Sequence, residues 1–261
     1  MLGFPVAKID YAGAAEWVFS KAAKGDRAYA VEAANTHVLA LGRSDLEFQS
    51  ALSKFDLICP DGMPLLWAIN SQLSEAEKLK ERVYGPTLML KTFEKSAGTG
   101  LKHFIIGGEE ETLGKLAENL RDDYPEAELA GTYSPPFGEW PEDEFERICR
   151  KIRESGATMI WIGLGCPKQE KWIGQNLDKL PSGVYFGIGA AIAFHAGEVR
   201  QAPSLIQKCG MEWLFRLLME PKRLWKRYFV YNSLYLFHIV ADRMREKVFI
   251  VACSSLGDST E

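Results

Sequence analysis

Short apolar runs alternate with amphipathic segments over residues 1–202, and this alternation restricts the fold more than any other feature of the chain. The runs are four to six residues long and most end at Gly, Asn or Pro, which is typical of strands buried on both faces. Parallel strands need a crossover between them, and the amphipathic segments have the helical period that supplies it. The pattern therefore predicts an α/β fold, a mostly parallel sheet with helices on both faces.

The predicted elements lie in a regular order along the chain. The strands are expected over 28–33, 56–59, 103–106, 128–133, 159–163 and 184–187, and the helices between them over 12–23, 45–54, 87–96, 111–122, 142–154 and 168–176. Two more helices, over 203–219 and 221–240, have a proline near the start, where the missing amide hydrogen costs little. We therefore divide the chain into an α/β catalytic domain over 1–202, a helical appendage over 203–247 and a tail over 248–261 that we expect to be flexible.

The composition excludes several classes of protein. With 47% hydrophobic and 25% charged residues the chain can fill a core, which rules out wholesale disorder, and a formal charge of −4 gives no basic surplus for nucleic acid. Five cysteines without a CxxC pair argue against a disulfide framework or a zinc site and fit a reducing cytoplasm. The apolar-rich run 229–241 is too short to cross a bilayer, so we expect no membrane-spanning helix there. The N-terminus does not resemble a signal peptide, so we do not expect one.

The charge is distributed unevenly. Residues 200–247 contain ten Lys or Arg and four Asp or Glu, a net charge of +6, whereas the rest of the chain carries −10. Aromatic residues, among them Trp213, Trp225 and Phe229, are interleaved with these bases. Such a surface suits the headgroup boundary of an anionic membrane. A buried amphipathic helix or a subunit interface of a homo-oligomer is the alternative.

Five chemically unusual loops follow the predicted strands. They contain Asn35-Thr36-His37, Asp61-Gly62, Gly107-Gly108, Gly163-Leu164-Gly165 and Gly187-Ile188-Gly189. In open α/β sheets ligands bind beyond the carboxyl ends of the strands, and glycines let backbone amides approach an anion there. Any one loop alone could be only a tight turn. Together the five predict a ligand site at this edge of the sheet.

Several common signatures are absent from the sequence. There is no GxGxxG fingerprint and no GxxxxGK[ST] loop, which disfavours a dinucleotide oxidoreductase and a P-loop protein. There is also no DxD-type acidic pair after a strand to hold a divalent metal on a nucleotide diphosphate, so we expect no metal and no cofactor. If a sugar nucleotide binds, amides and basic side chains must stabilise its leaving phosphate.

Taken in order, the loops resemble the WecG/TagA/CpsF glycosyltransferases, glycosyltransferase family twenty-six. The most distinctive matches are PDGMP at 60–64, GxGxPKQE at 163–170 and EWxxRLxxEPxRLxxRY at 212–228. Weaker matches are NTH at 35–37, RVYGP at 82–86, FIIGG at 104–108, GTYSPPF at 131–137 and GIGAA at 187–191. The resemblance extends from about residue 30 to 230.

The resemblance implies a Rossmann-like α/β fold with a C-terminal appendage and an inverting, metal-independent hexosyltransferase. The donor would be a UDP-sugar of N-acetylmannosamine, its uronic acid or a related hexose, and the acceptor a polyprenyl-diphosphate-linked sugar. Family products enter teichoic acid linkage units, enterobacterial common antigen, capsules or exopolysaccharides. The protein would then be cytoplasmic and peripherally bound to the inner face of the plasma membrane. Which hexose, linkage and polymer are involved stays open.

Two positions depart from the family pattern. Ala33 stands where many members have Thr, and Ala193 replaces the Asp of an FDF triplet. The first change removes a hydroxyl from the expected donor site and the second removes a carboxylate. These losses leave Asp61 as the strongest candidate base. They also motivate the alternative of a catalytically weak sugar-nucleotide-binding or assembly protein of the same fold.

Three residues are assigned to the catalytic centre. Inverting transfer needs a base for the acceptor hydroxyl, and Asp61, just past a strand end, is assigned that role. The alternative is that Asp61 caps the helix near Pro64. Asn35 and Thr36 would orient the sugar, with turn capping as the alternative. His37 could be a further polar contact or a helix-surface imidazole.

A second set of residues is assigned to substrate binding. Arg82 could engage a phosphate or the acceptor sugar, and Lys168 and Gln169 open a helix whose amides could meet the uracil or diphosphate. Glu170 would bind ribose hydroxyls or favour the helix N-terminus. Cys166 is interpreted as a packing residue. The binding set is completed by the loop glycines, Gly107, Gly108, Gly163, Gly165, Gly187 and Gly189.

Three arginines of the appendage are assigned to the acceptor and the membrane. Arg216, Arg223 and Arg227 are spaced by seven and four residues, which would align them if helix continued through Glu220 and Pro221. Guanidinium groups bind diphosphate oxygens in pairs, so the aligned arginines would clamp the acceptor diphosphate.

Overall fold

A computed structural model describes residues 1–138, 140–242 and 244, with the side chains of Ser204 and Lys208 excepted. The expected flexible tail, 248–261, lies outside these residues, as do three bases of the positively charged segment, Arg243, Arg245 and Lys247.

A parallel sheet forms the centre of the protein. Its strands are β1 (Ala28–Ala34), β2 (Leu57–Pro60), β3 (Lys102–Ile106), β4 (Glu128–Tyr133), β5 (Met159–Ile162) and β6 (Gly183–Gly187). Within the described residues the sheet has six strands in the order β2-β1-β6-β5-β3-β4, and every neighbouring pair is parallel. The predicted α/β fold is confirmed, and each predicted strand agrees within one residue at each end.

Helices cover both faces of this sheet. They are α1 (Tyr11–Lys24), α2 (Thr36–Ser44), α3 (Leu46–Leu52), α4 (Met63–Asn70), α5 (Gly85–Ser96), α6 (Glu110–Asp123), α7 (Glu144–Ser155), α8 (Lys168–Asn176) and α9 (Ala191–His195). Alternate strand residues point to opposite faces. Thus Ile160 and Ile162 of β5 pack against α2, α3, α7 and α8, whereas Met159 and Trp161 pack against α1, α5, α6 and α9.

The C-terminal helices differ from the prediction, which was wrong about their continuity. The expected helix over 203–219 is two helices, α10 (Ser204–Lys208) and α11 (Glu212–Met219), separated at Gly210, whose φ of +72° favours glycine. After α11 the backbone of Glu220 leaves the helical region, at φ −134° and ψ 58°, before α12 (Pro221–Lys226) begins. A π-helical turn over Arg227–Tyr231 and helical residues 232–242 follow.

This C-terminal segment packs against α2 of the α/β domain. The Thr36 hydroxyl donates to the Asn232 side chain at 2.6 Å, and Arg43 makes a two-bond ion pair with Asp242 at 2.8 and 3.0 Å. Leu224 of α12 is also buried. No helix in the described part of the chain is long and apolar enough to cross a membrane.

A pair of helical glycines tests the packing of α8 on α3. A Cβ atom at Gly174 would lie 2.4 Å from the Ala51 carbonyl oxygen, whereas one at Gly114 of α6 would meet nothing within 4 Å. We expect Gly174→Ala to lower the free energy of unfolding by about 1–3 kcal/mol, because backbone must move. Gly114→Ala should raise it by about 0.5–1 kcal/mol. Urea titration of both variants measures the difference, and equal effects would contradict the close approach.

Candidate functional site

A cavity of about 750 Å³ opens at the carboxyl ends of the strands. Each of the five predicted loops contributes to its wall, and the C-terminal helices close it from the other side. The predicted residues that line it are Asn35, His37, Asp61, Gly108, Gly163, Gly165, Gln169, Glu170, Gly187, Gly189, Arg216, Arg223 and Arg227. The fold therefore brings most of the predicted site together at one edge of the sheet.

A smaller cavity, of about 100 Å³, adjoins the first. Its own lining includes Thr36, Arg82, Glu212, Trp213 and Tyr228. The two cavities share part of their wall, which consists of Asn35, His37, Asp61, Tyr84, Arg216 and Arg227. Asp61 thus faces two adjoining spaces of different chemical character.

Asp61 is a partly buried residue at the cavity wall and does not serve as a helix cap. The N-cap of α4 is Gly62, so the capping alternative is wrong. The Asp61 Oδ1 atom is buried and has no hydrogen-bond partner among the described residues. Burial raises the pKa of this carboxyl to about 6, although the nearby cations Arg82 and Arg227 oppose the rise. A carboxylate with such a pKa is well suited to accept a proton near neutral pH.

Arg82 reaches Asp61 through the backbone and pairs with a residue of the C-terminal segment. Its Nη1 atom donates to the Asp61 carbonyl oxygen at 3.0 Å, and its Nη2 atom forms a short ion pair with Glu212 of α11. The guanidinium also lies 4.4 Å from the centre of the Tyr84 ring. Arg82 therefore faces the smaller cavity, with its charge already matched by Glu212.

The two polar residues after β1 each have a structural partner. The Asn35 side-chain oxygen accepts hydrogen bonds from the amides of His37 and Val38 and so caps α2, which was the alternative interpretation. Its side chain also hydrogen-bonds Asp61, an interaction that favours the ionised carboxylate. The Thr36 hydroxyl faces the smaller cavity but is engaged by Asn232.

His37 is buried, so its interpretation as a surface imidazole is wrong. Burial lowers the pKa of its ring to about 3, which leaves it neutral at pH 7, and its ring packs edge-on against Tyr231. The Cys166 sulfur lies 3.7 Å from His37 Nδ1. Burial raises the pKa of the Cys166 thiol, which makes it a poor nucleophile and agrees with the packing role.

Gln169 connects two of the glycine loops. Its side-chain oxygen accepts from the amides of Gly165 at 3.1 Å and Gly189 at 3.0 Å, and its amide donates to Glu170 Oε1 at 3.0 Å. Lys168 is exposed and lines neither cavity. Gly107 is also not part of either lining; a Cβ atom there would lie 2.6 Å from the Gly163 carbonyl oxygen, so it serves close packing.

Two buried glutamates, Glu32 and Glu170, interact in the site, and the sequence analysis did not predict this pair. Glu32 of β1 is 2% exposed and Glu170 of α8 is 0% exposed, and both line the larger cavity. The Oε2 atom of each has no hydrogen-bond partner among the described residues. Burial raises the pKa of Glu170 to about 7; burial and then the Glu170 charge raise that of Glu32 well above its usual value. The sequence feature that could have indicated the pair is Glu32, a glutamate inside an otherwise apolar strand.

The three predicted arginines converge on the larger cavity although the helices that carry them are not continuous. The break at Glu220 changes the chain direction between Arg216 and Arg223, so the seven-residue spacing is not what aligns them. The Nε atoms of Arg216 and Arg227 are buried and without a hydrogen-bond partner in the described structure. Each of these Nε–H groups is available to donate a hydrogen bond to an anion, whereas Arg223 is already paired with Glu220.

Within residues 1–138, 140–242 and 244, no group of three or more His, Cys, Asp or Glu side chains is arranged to hold a metal ion. The positions of the two departures, Ala33 and Ala193, line the larger cavity with methyl groups.

The buried glutamates predict an unusual dependence of stability on pH. Because the folded-state pKa values of Glu32 and Glu170 are raised, the folded protein binds more protons than the unfolded chain, and stability falls as pH rises from about 4.5 to 7 and above. We expect Glu32→Gln to raise the melting temperature at pH 8 by about 3 °C or more, with a smaller effect at pH 5. Thermal unfolding followed by circular dichroism measures both.

Glu118→Gln is the matched control, because Glu118 is exposed on α6. It should change the melting temperature little at either pH. A Glu32→Gln variant that loses stability more at pH 8 than at pH 5 would contradict the burial of an unpaired acid.

One comparison with known proteins bears on this geometry. The model of the glycosyl transferase WecG/TagA/CpsF family matches residues 1–248 of the chain. The match includes every loop of the site and the C-terminal segment that carries the arginines.

Proposed function

Because the chain belongs to the WecG/TagA/CpsF family of glycosyltransferases, which acts in cell-surface polysaccharide synthesis, we propose its substrates and mechanism. The protein moves a hexose from a UDP-sugar to a polyprenyl-diphosphate-linked sugar. The transfer inverts the anomeric centre and uses no protein-bound metal or cofactor. The hexose is N-acetylmannosamine, its uronic acid or a related sugar.

The position of Asp61 between two cavities carries this proposal. A transferase must hold a donor and an acceptor on either side of the reacting carbon, and the larger cavity has room for a sugar nucleotide. The smaller cavity, about 100 Å³ and lined by Trp213 and Tyr228, has room for part of an acceptor sugar beside Asp61. Asp61 lines both cavities, so its carboxylate lies where a base must lie to take a proton from the acceptor.

The proposed step is a single displacement. The acceptor hydroxyl oxygen attacks the anomeric carbon of the donor from the side opposite UDP, and the bond from that carbon to the phosphate oxygen breaks. Asp61 takes the hydroxyl proton. UDP leaves with the electron pair of the broken bond. Arg216, Arg223 and Arg227, together with the amides of the glycine loops, stabilise its added negative charge.

Gln169 and Glu170 have positioning roles in this scheme. Since Gln169 holds the Gly165 and Gly189 amides in place, it fixes the backbone that faces the donor. Glu170 accepts from Gln169 and still has one free oxygen toward the cavity, which can accept a hydrogen bond from a donor hydroxyl. Asn35 orients Asp61 rather than the sugar.

The C-terminal segment supports binding at the inner face of the plasma membrane. Its exposed apolar side chains include Leu218, Trp225, Phe229, Leu236 and Phe237, and its bases lie among them. A basic surface with exposed aromatic residues binds anionic lipid, where a polyprenyl acceptor resides. The same surface could pack against a second copy of the chain, and sedimentation with and without vesicles distinguishes the two.

The alternative, a weakly active sugar-nucleotide-binding or assembly protein, draws on the two alanines that line the larger cavity in place of a hydroxyl and a carboxylate. A donor screen decides between the two functions. A panel of UDP-sugars is incubated with a short-chain lipid-diphosphate-GlcNAc acceptor in buffer with EDTA, and the lipid product is identified by mass spectrometry. Donor binding without product under any condition would favour the alternative.

We expect Asp61→Asn to lower kcat by about 100-fold or more, because the amide cannot take the acceptor proton. Donor affinity should change by less than about threefold, since the base acts on the acceptor. Steady-state kinetics and donor titration measure the two effects. The matched control is Asp178→Asn, at an exposed aspartate that lines neither cavity. Near-normal turnover of Asp61→Asn would remove the base from the mechanism.

The membrane proposal predicts a separate phenotype. Trp225→Ser with Phe229→Ser should reduce partition onto anionic vesicles by about tenfold. Each substitution removes an exposed aromatic side chain, and with it apolar area that the headgroup region would bury. Leu46→Ser with Phe137→Ser is the control, since these residues are exposed on the α/β domain. Vesicle co-sedimentation measures both double variants. Equal losses would contradict a specific role of the C-terminal segment.

A further inference from the structure

One ion pair connects the C-terminal segment directly to the surroundings of Asp61. Glu212 begins α11 and is 8% exposed, and its carboxylate meets the Arg82 guanidinium. Both side chains are largely shielded, so the attraction is weakly screened by solvent. The two residues are 130 positions apart in the sequence. The pair therefore exists only when the C-terminal segment is packed on the α/β domain.

Arg82 is placed so that its charge acts on Asp61. It donates to the Asp61 carbonyl oxygen, while its second terminal nitrogen is taken by Glu212. No hydrogen bond joins Arg82 to the Asp61 carboxylate among the described contacts, and Asp61 Oδ1 is left unpartnered. An arginine with no other anion next to it would pair with the nearest carboxylate. Glu212 supplies that other anion.

The charges around Asp61 come from every element packed against it. They belong to Arg82 before α5, Glu212 of α11, Arg227 of the π-helical turn and Glu32 of β1, and Arg216 of α11 lines both cavities beside Asp61. The neutral groups around it are Asn35, Tyr11, Tyr84 and Cys59. Burial is the main cause of the raised pKa of Asp61. Arg82 and Arg227 lower this pKa and Glu212 raises it, so removal of Glu212 alone leaves the cations unbalanced.

We propose that Glu212 is a positioning residue that occupies Arg82 once the C-terminal segment is packed on the domain, and so leaves the Asp61 carboxylate free to take the acceptor proton. This inference rests on the proposed role of Asp61 as the base. It makes the C-terminal segment part of the proton-transfer machinery as well as a source of arginines. A segment that is not packed in place would leave Arg82 to pair with Asp61 and weaken the base.

A purely structural role of the ion pair is the competing explanation. Other contacts hold the same segment, namely the hydrogen bond from Thr36 to Asn232 and the ion pair of Arg43 with Asp242. Loss of the Glu212 charge therefore leaves the segment anchored. A structural role predicts lower stability with an unchanged pH profile, whereas a positioning role predicts a shifted profile.

The test compares pH profiles of kcat/KM for the full-length protein and four variants. This ratio reports the ionisation of free-enzyme groups, so its acid limb follows Asp61. We expect Glu212→Gln to move the acid limb down by about one pH unit, because Arg82 then acts on Asp61 without a counter-charge. Turnover on the pH plateau should fall by about tenfold, since a weaker base takes the proton less readily.

Glu212→Asp and the double variant Arg82→Gln with Glu212→Gln are the internal controls. The aspartate keeps the charge and should hold the limb near its wild-type position. The double variant removes both charges, so the limb should return to the wild-type position or slightly above it, because Arg82 has the larger effect of the two. Glu220→Gln removes one charge from the same segment, at a residue paired with Arg223, and should leave the limb unmoved.

The outcomes separate this inference from the proposed function. An unshifted limb in Glu212→Gln, or a double variant that does not restore it, overturns the positioning role while Asp61→Asn still reports on the base. If Asp61→Asn keeps normal turnover, the proposed mechanism fails instead. A carbon-13 NMR titration of the Asp61 carboxyl gives a readout without substrate. Its pKa should fall in Glu212→Gln and recover in the double variant, and an unchanged titration overturns the inference.

Discussion

Three carboxyl groups, each with one oxygen buried at the same edge of the sheet, are the constraint on which the rest of the site depends. Asp61, Glu32 and Glu170 each have a buried oxygen without a partner in the described structure, which costs free energy that protonation of the acid or a nearby cation relieves. Arg227 is among the charges that favour ionisation of all three. Its position requires the C-terminal segment to lie over the sheet edge, so acid chemistry and segment packing are coupled.

The parallel sheet explains why these groups meet. Glu32 lies in β1 and Asp61 follows β2, its neighbour, while Glu170 belongs to the helix after β5. All parallel strands end at the same edge, so residues far apart in sequence share one cavity. The glycines at this edge also make room for buried side chains. At Gly187 a Cβ atom would lie 2.6 Å from Glu32 Oε2, so only glycine leaves space for the buried acid.

The C-terminal segment joins two tasks that a membrane-linked transferase must coordinate. Its aromatic residues Trp225, Phe229 and Phe237 are exposed and line neither cavity, whereas Arg216, Arg227 and Glu212 line the cavities. In the proposed mechanism the same packing event completes the anion site and frees the base. Such coupling would restrict proton transfer to molecules whose acceptor side is assembled, because the necessary charges come from two separate parts of the chain.

The sequence alone determined the fold class and the edge at which the site lies, because buried parallel strands and their glycine-rich ends have local signatures. It also predicted that Asp61 and the three arginines belong to one site, and the structure brings all four to the larger cavity. Only the tertiary structure decided what each polar group faces: that Asn35 caps α2, that Lys168 stays exposed and that Arg82 pairs with Glu212. Burial and charge pairing arise between segments far apart in sequence, and no local pattern encodes them.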